Sequence, residues 1–186
     1  MSPALRRLYA LWWQPGSEMA AGWWTTLGLA EWKQPYARQL LLRPALDRLI
    51  ASRLGHHGIV PAMSRLADPL LTNDVRRNSL CLAMGLWALR CPDYLMLRLY
   101  REALSPLLDA RALSQLQMVM PVCSTHAAEL EPEVLLESAL RTGAAWLSDS
   151  SDPALGLCRL LWEPANPSTC PAATPESVLQ KLLRWL

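Results

Sequence analysis

Phenylalanine is absent from the 186 residues, and lysine occurs only at Lys33 and Lys181. Bulky aromatic packing therefore falls to nine tryptophans, and most of the positive charge to arginine. Glycine is scarce at eight residues, and none builds the phosphate-cradling loop of a nucleotide site. G-x-S-x-G and H-E-x-x-H are missing, and the cysteines lack the C-x-x-C pattern of zinc sites and dithiol redox centres. No stretch reaches the roughly 18 uninterrupted apolar residues of a membrane-spanning helix. Gln14-Pro15-Gly16 cuts the apolar run Leu8–Trp13 too early for a signal-peptide core, so the chain reads as soluble and not exported by that route.

The reactive residues that remain do not assemble into a site. Five cysteines (Cys81, Cys91, Cys123, Cys158 and Cys170) are an odd number without close pairing. Cys81 and Cys158 sit among apolar residues, which favours a reducing cytosol over a disulfide scaffold. His56 and His57 have no cysteine or carboxylate at ligand spacing and read as a loop pair without a role. Cys123 and His126 are spaced as a nucleophile and its base, but no motif supplies an oxyanion hole or an orienting acid. The expectation is a protein that is not an enzyme, with no catalytic residue, no metal and no cofactor.

Hydrophobic residues make up 52% of the chain and charged ones 18%, enough to bury a sizeable core in one domain. The formal charge of +2 is unevenly spread. Residues 1–111 carry 14 Lys/Arg against 8 Asp/Glu, whereas residues 112–186 carry 4 against 8. Such polarity suits protein partners better than nucleic acid, whose binders gather positive charge on one face. Arg76, Arg77, Arg98 and Arg101 form a basic set, but no aromatic stacking platform is interleaved with them. A solvated or protein-contacting face is the better reading.

Periodicity is helical throughout, with no alternating strand and no repeat. Leu80–Leu89 is apolar on all sides and reads as a central helix, capped by Asn73 or Asp74 and broken at Cys91-Pro92-Asp93. Tyr94–Tyr100 and a striped helix over Leu108–Met120 pack on it. Leu46, Leu49, Ile50 and Leu54 predict the inner face of a helix within residues 35–54, with Asp47 and Arg48 outward, Pro44 in a first turn and Gly55 as its stop. A short helix is expected around Ala62–Leu66, ended by Asp68-Pro69. Helices follow over Glu133–Ser148, with Val134 and Leu135 among the inward candidates, and over Ala154–Trp162. Glu163–Pro175 reads as an extended linker and Val178–Leu186 as an amphipathic helix that either folds back or serves a partner. The expected fold is all-α. It comprises a helical domain over residues 1–163 (a Trp-rich part, 1–34, and a core, 35–163), then a Pro-rich linker and terminal helix over 164–186. Trp12, Trp13, Trp23 and Trp24 suit three readings: a core cover, a docking surface or a membrane-interface segment.

Two segments resemble a known family. Met84-Gly85-Leu86-Trp87, Leu97, Leu99 and Ser105-Pro106-Leu107-Leu108 are similar to its leucine-rich helix pair. Thr142-Gly143-Ala144-Ala145-Trp146-Leu147, Asp152-Pro153 and Leu157-Cys158-Arg159-Leu160 are similar to its later signature. In order and spacing they resemble the K component of the type III secretion sorting platform (the SctK/YscK/OrgA-like family), over about residues 80–163. Where relatives tend to have glycine between the helices, this chain has Arg90-Cys91-Pro92.

The resemblance implies a non-enzymatic cytoplasmic adaptor, peripheral to the inner membrane through the secretion basal body. It would link the cytoplasmic domain of the inner-membrane ring protein to the C-ring pod protein, without nucleic acid and without a span of its own. The alternative is a helical secretion chaperone that binds export substrates, although such chaperones are usually smaller and acidic. The residues singled out for partner contact are Trp12, Trp13, Trp23, Trp24, Arg76, Arg77, Glu131 and Glu133.

Overall fold

No charge interrupts Leu80–Leu89, and in a computed structural model of the chain this stretch is the sequestered end of the longest helix. The structure describes residues 1–120, 128–165 and 173–186. Thirteen α-helices lie among the described residues, with no strand. The N-terminal part holds α1 (Pro3–Trp13), α2 (Pro15–Glu18), α3 (Gly22–Thr26), α4 (Lys33–Arg38) and α5 (Arg43–Leu54). The middle holds α6 (Ala67–Thr72), α7 (Asp74–Leu89), α8 (Asp93–Met96), α9 (Arg98–Leu104) and α10 (Ala110–Val119). The last part holds α11 (Pro132–Trp146), α12 (Pro153–Cys158) and α13 (Pro175–Leu182).

Helix α7 is the axis. Leu80 through Ala88 are all buried, and the helix packs chiefly on α11, with α6 and α13 on its other sides. Its start is capped by Asn73, whose Oδ1 accepts from the backbone N–H of Val75 (2.9 Å) and Arg76 (3.1 Å). Its end is Arg90 in the left-handed region, φ 52°. That is the backbone state a glycine supplies at a helix terminus, so the arginine takes it at a steric cost. Helix α1 covers the other end of the core, lying on α6, α5 and α12.

Proline begins many of these helices. It occupies the first or second position of α1, α2, α5, α11, α12 and α13. A first-turn proline forfeits no hydrogen bond, because that N–H has no intrahelical partner. The same physics corrects one expectation: Asp68-Pro69 does not end a helix over Ala62–Leu66 but lies in the first turn of α6.

Other corrections concern facing. Helix α5 begins at Arg43 with Pro44 in its first turn, as expected, and is preceded by α4 and a 3-10 turn, Leu40–Leu42. Asp47, expected outward, is 4% exposed, and Leu49, expected inward, is 40% exposed. Tyr36 explains the exchange. Its hydroxyl donates to both Asp47 carboxylate oxygens (3.0 and 3.2 Å), while the Gly16 N–H donates at 3.1 Å, so a polar knot rotates α5 inward on its Asp47 side. Burial raises the Asp47 carboxyl above its ordinary value, and burial together with that carboxylate pushes Tyr36 up to about 12. Val134 also faces outward, against expectation.

The terminal helix folds back. Val178, Leu179 and Leu182 are fully buried in the same core as α7. The Lys181 ammonium lies 5.6 Å from the centre of the Trp87 ring. Burial alone would raise Glu176, but hydrogen bonds from the Ser150 hydroxyl (2.6 Å) and the Ser151 N–H (2.7 Å) and hydroxyl (3.1 Å) outweigh it and hold the carboxyl at about 2. The expected Cys123–His126 pair, Cys170, and Pro167 and Pro171 of the expected linker lie outside the described residues.

Candidate functional site

A helix turns about 100° per residue, so neighbouring tryptophans diverge. In α1, Trp13 is exposed while Trp12 is half-buried and stacks on His56, ring centres 4.6 Å apart and planes nearly parallel. In α3, Trp24 is buried against Tyr36. Trp23 is half-buried; its Nε1 donates to the Trp162 carbonyl at 2.9 Å, and the Arg159 guanidinium lies 5.6 Å from the centre of its ring. Of the four, Trp13 offers the most free surface. His56 is thus a packing residue rather than an idle loop residue, and burial lowers its pKa. His57 alone is exposed.

The arginines divide in the same way. Arg76 is exposed, but Arg77 is buried beside Asp74 (2.7 Å) and the Trp162 ring. Asp74 also pairs with Arg7, which reaches Glu18 at 3.3 Å, so the cluster ties α1, α2 and α7 together. Arg98 pairs with Glu102 in α9, and Arg101 donates to the Leu95 carbonyl. With Arg77 turned inward, the basic set expected from sequence is not one continuous patch. Glu131 and Glu133 are both exposed at the start of α11, where negative charge also complements the helix dipole.

Two concave spaces among the described residues are chemically plain. A cleft of about 410 Å³ lies between Trp23, Ala144, Ala145, Ser148, Arg159 and Glu163. A more apolar groove of about 430 Å³ runs over Met96, Arg101, Leu108, Ala110 and Leu113. Among the described residues no group of His, Cys, Asp and Glu is placed to hold a metal. Burial raises the thiols of Cys81 and Cys158, the latter to about 12, so both are protonated packing groups at neutral pH. No described helix is long and apolar enough to cross a membrane.

The residues missed in the sequence are apolar and exposed: Leu40 and Leu41 on the 3-10 turn before α5, and Met96, Leu97 and Leu99 around the α8–α9 joint. The triple leucine Leu40-Leu41-Leu42, bounded by Gln39 and Arg43, was the available signal for the first group.

A family model described as a type III secretion system subunit matches residues 6–164. The match spans α1 through α12, so it includes the Trp-rich N-terminal part and stops short of α13. No curated protein and no solved structure matches the chain.

Proposed function

The chain belongs to a family of type III secretion system subunits, and on that premise we propose that it is a non-enzymatic cytoplasmic adaptor of the sorting platform. It joins the cytoplasmic domain of the inner-membrane ring protein to the C-ring pod protein. An adaptor needs two separated contact surfaces on a body that does not deform between them. The observation that carries this reading is a continuous buried core with exposed charge of opposite sign on different helices. Lys33, Arg38, Arg48 and Arg76 are exposed on α4, α5 and α7, and Glu131, Glu133 and Glu137 are exposed at the start of α11. Interfaces of matched charge gain specificity and association rate from such an arrangement.

The test is a pull-down of the full chain with the ring protein's cytoplasmic domain and with the pod protein. Arg76→Glu is expected to weaken one pairing and the double change Glu131→Lys with Glu133→Lys the other. Arg77 is not used, because reversing a buried charge reports on folding. If both pairings survive both variants, the charged surfaces are not the contacts. Capture of export substrates in place of the two platform proteins would favour the chaperone reading.

A further inference from the structure

Leu41 keeps 95% of its surface exposed and Leu40 keeps 69%, both on the single 3-10 turn between α4 and α5. Trp32, one helix earlier, is 40% exposed. The turn is held firmly from behind. Arg43 donates from Nε to the Tyr36 carbonyl at 3.0 Å and from Nη2 to the Ala37 carbonyl at 3.2 Å. The Tyr36 hydroxyl in turn is fixed on buried Asp47. The leucines are therefore presented by a braced backbone.

Charge along this part of the chain is mostly positive, with exposed Glu31 beside Trp32 as the exception. Between Glu31 and Asp68 the only acid is Asp47, which is buried, against six cations: Lys33, Arg38, Arg43, Arg48, Arg53 and Arg65. None of the six is ion-paired among the described residues. Arg43, Arg48 and Arg53 donate to backbone carbonyls, and Lys33, Arg38 and Arg48 are exposed on α4 and α5, the helices that flank the turn.

We propose that the turn Leu40–Leu42, with Trp32 and the exposed cations Lys33, Arg38 and Arg48, is a docking surface for an anionic lipid membrane. The exposure of adjacent leucines on one turn decides for lipid over an acidic protein. A polypeptide partner would have to bring a preformed pocket for two nearly bare leucines, whereas acyl chains yield to any apolar shape. Stable attachment at an interface takes two signals, an apolar group in the hydrocarbon boundary and a basic cluster at the phosphates. Both are present here, and tryptophan is favoured at the same depth. The surface shares Lys33, Arg38 and Arg48 with the positive charge invoked above but not Arg76, the residue on which the adaptor test rests.

The test is co-sedimentation of the full chain with phosphatidylcholine vesicles, with and without about one third phosphatidylglycerol. Binding is expected to the anionic vesicles at low salt, with little to the neutral ones, and to fall as salt rises. The double change Leu40→Ser with Leu41→Ser should lower the partition coefficient by about tenfold or more, because burying one leucine side chain alone is worth about that factor. Arg38→Glu with Arg48→Glu should do the same. All four positions are exposed, so circular dichroism and Tm should stay unchanged. Equal binding to neutral vesicles, an unchanged partition coefficient in the leucine variant, or no binding at all would overturn the proposal. If vesicles are ignored while the leucine variant loses the ring protein's cytoplasmic domain, the tip belongs to a protein interface. The vesicle assay contains no secretion component, so its failure leaves the adaptor reading intact.

Discussion

Gly85 of α7 lies so close to Ala139 of α11 that a Cβ on the glycine would stand 1.7 Å from the Ala139 carbonyl oxygen. The contact is reciprocal, since a Cβ on Gly143 would stand 2.1 Å from the carbonyl oxygen of Cys81. Backbone meets backbone at both points, and the Cys81 thiol adds a contact of 3.3 Å to the Leu140 carbonyl. This crossing sets the spacing of the two central helices. Everything borne by α11, including Glu131 and Glu133, is positioned by it.

Gly85→Ala and Gly143→Ala should each force the helices apart. Overpacking against backbone costs about 1–3 kcal/mol and sometimes more, which for a chain of this size lowers Tm by roughly 2–12 °C. Gly156→Ala in α12 is the control, because its Cβ would meet only the Leu147 carbonyl, at 3.8 Å. It should be neutral or slightly stabilising, as alanine is the better helix former by up to about 1 kcal/mol. Thermal melts of the three variants decide; equal melts would mean the crossing has slack.

Asp47 predicts an unusual pH response. Its folded pKa is raised by burial, so its contribution is fully present below the unfolded value and is lost as pH rises through the folded one. Asp47→Asn keeps an acceptor for Tyr36 and cannot ionise. The wild type should therefore gain stability relative to this variant as the solution is acidified towards the ordinary carboxylate pKa. Asp47→Ala leaves the buried Tyr36 hydroxyl and the Gly16 N–H without this acceptor and should cost about 1–3 kcal/mol. Denaturant titrations across pH read both effects; a stability difference between wild type and Asp47→Asn that does not change with pH would refute the first.

His56 gives the opposite slope. Burial against Trp12 lowers its pKa, so the stability it contributes is present above its unfolded pKa of about 6.5 and is lost as pH falls through the lower folded value. His56→Phe retains a stacked ring without a titrating nitrogen. It should flatten the loss of stability on mild acidification, seen as a smaller change in Tm below neutrality. An identical slope in the variant would place the acid sensitivity elsewhere.

Deleting Glu176–Leu186 removes three fully buried apolar side chains from the face of α7. A large loss of stability is expected, and Leu179→Ala alone should cost about 2–5 kcal/mol. A truncated chain with unchanged Tm that had lost a partner would instead make α13 a docking helix.

The sequence alone determined the helical class, the central position of Leu80–Leu89 and the Gly55 stop. These depend on local chemistry: apolar periodicity, caps, and residues that cannot continue a helix. Tertiary structure decided which way marginal residues face. Asp47 turned inward because Tyr36 and Gly16, 11 and 31 residues away, supply its hydrogen bonds. Arg77 went in because Asp74 and Trp162 receive it, and Leu40 and Leu41 stayed out because no other element covers their turn. Composition cannot carry that information, since a side chain's burial depends on partners that only the folded chain brings within reach.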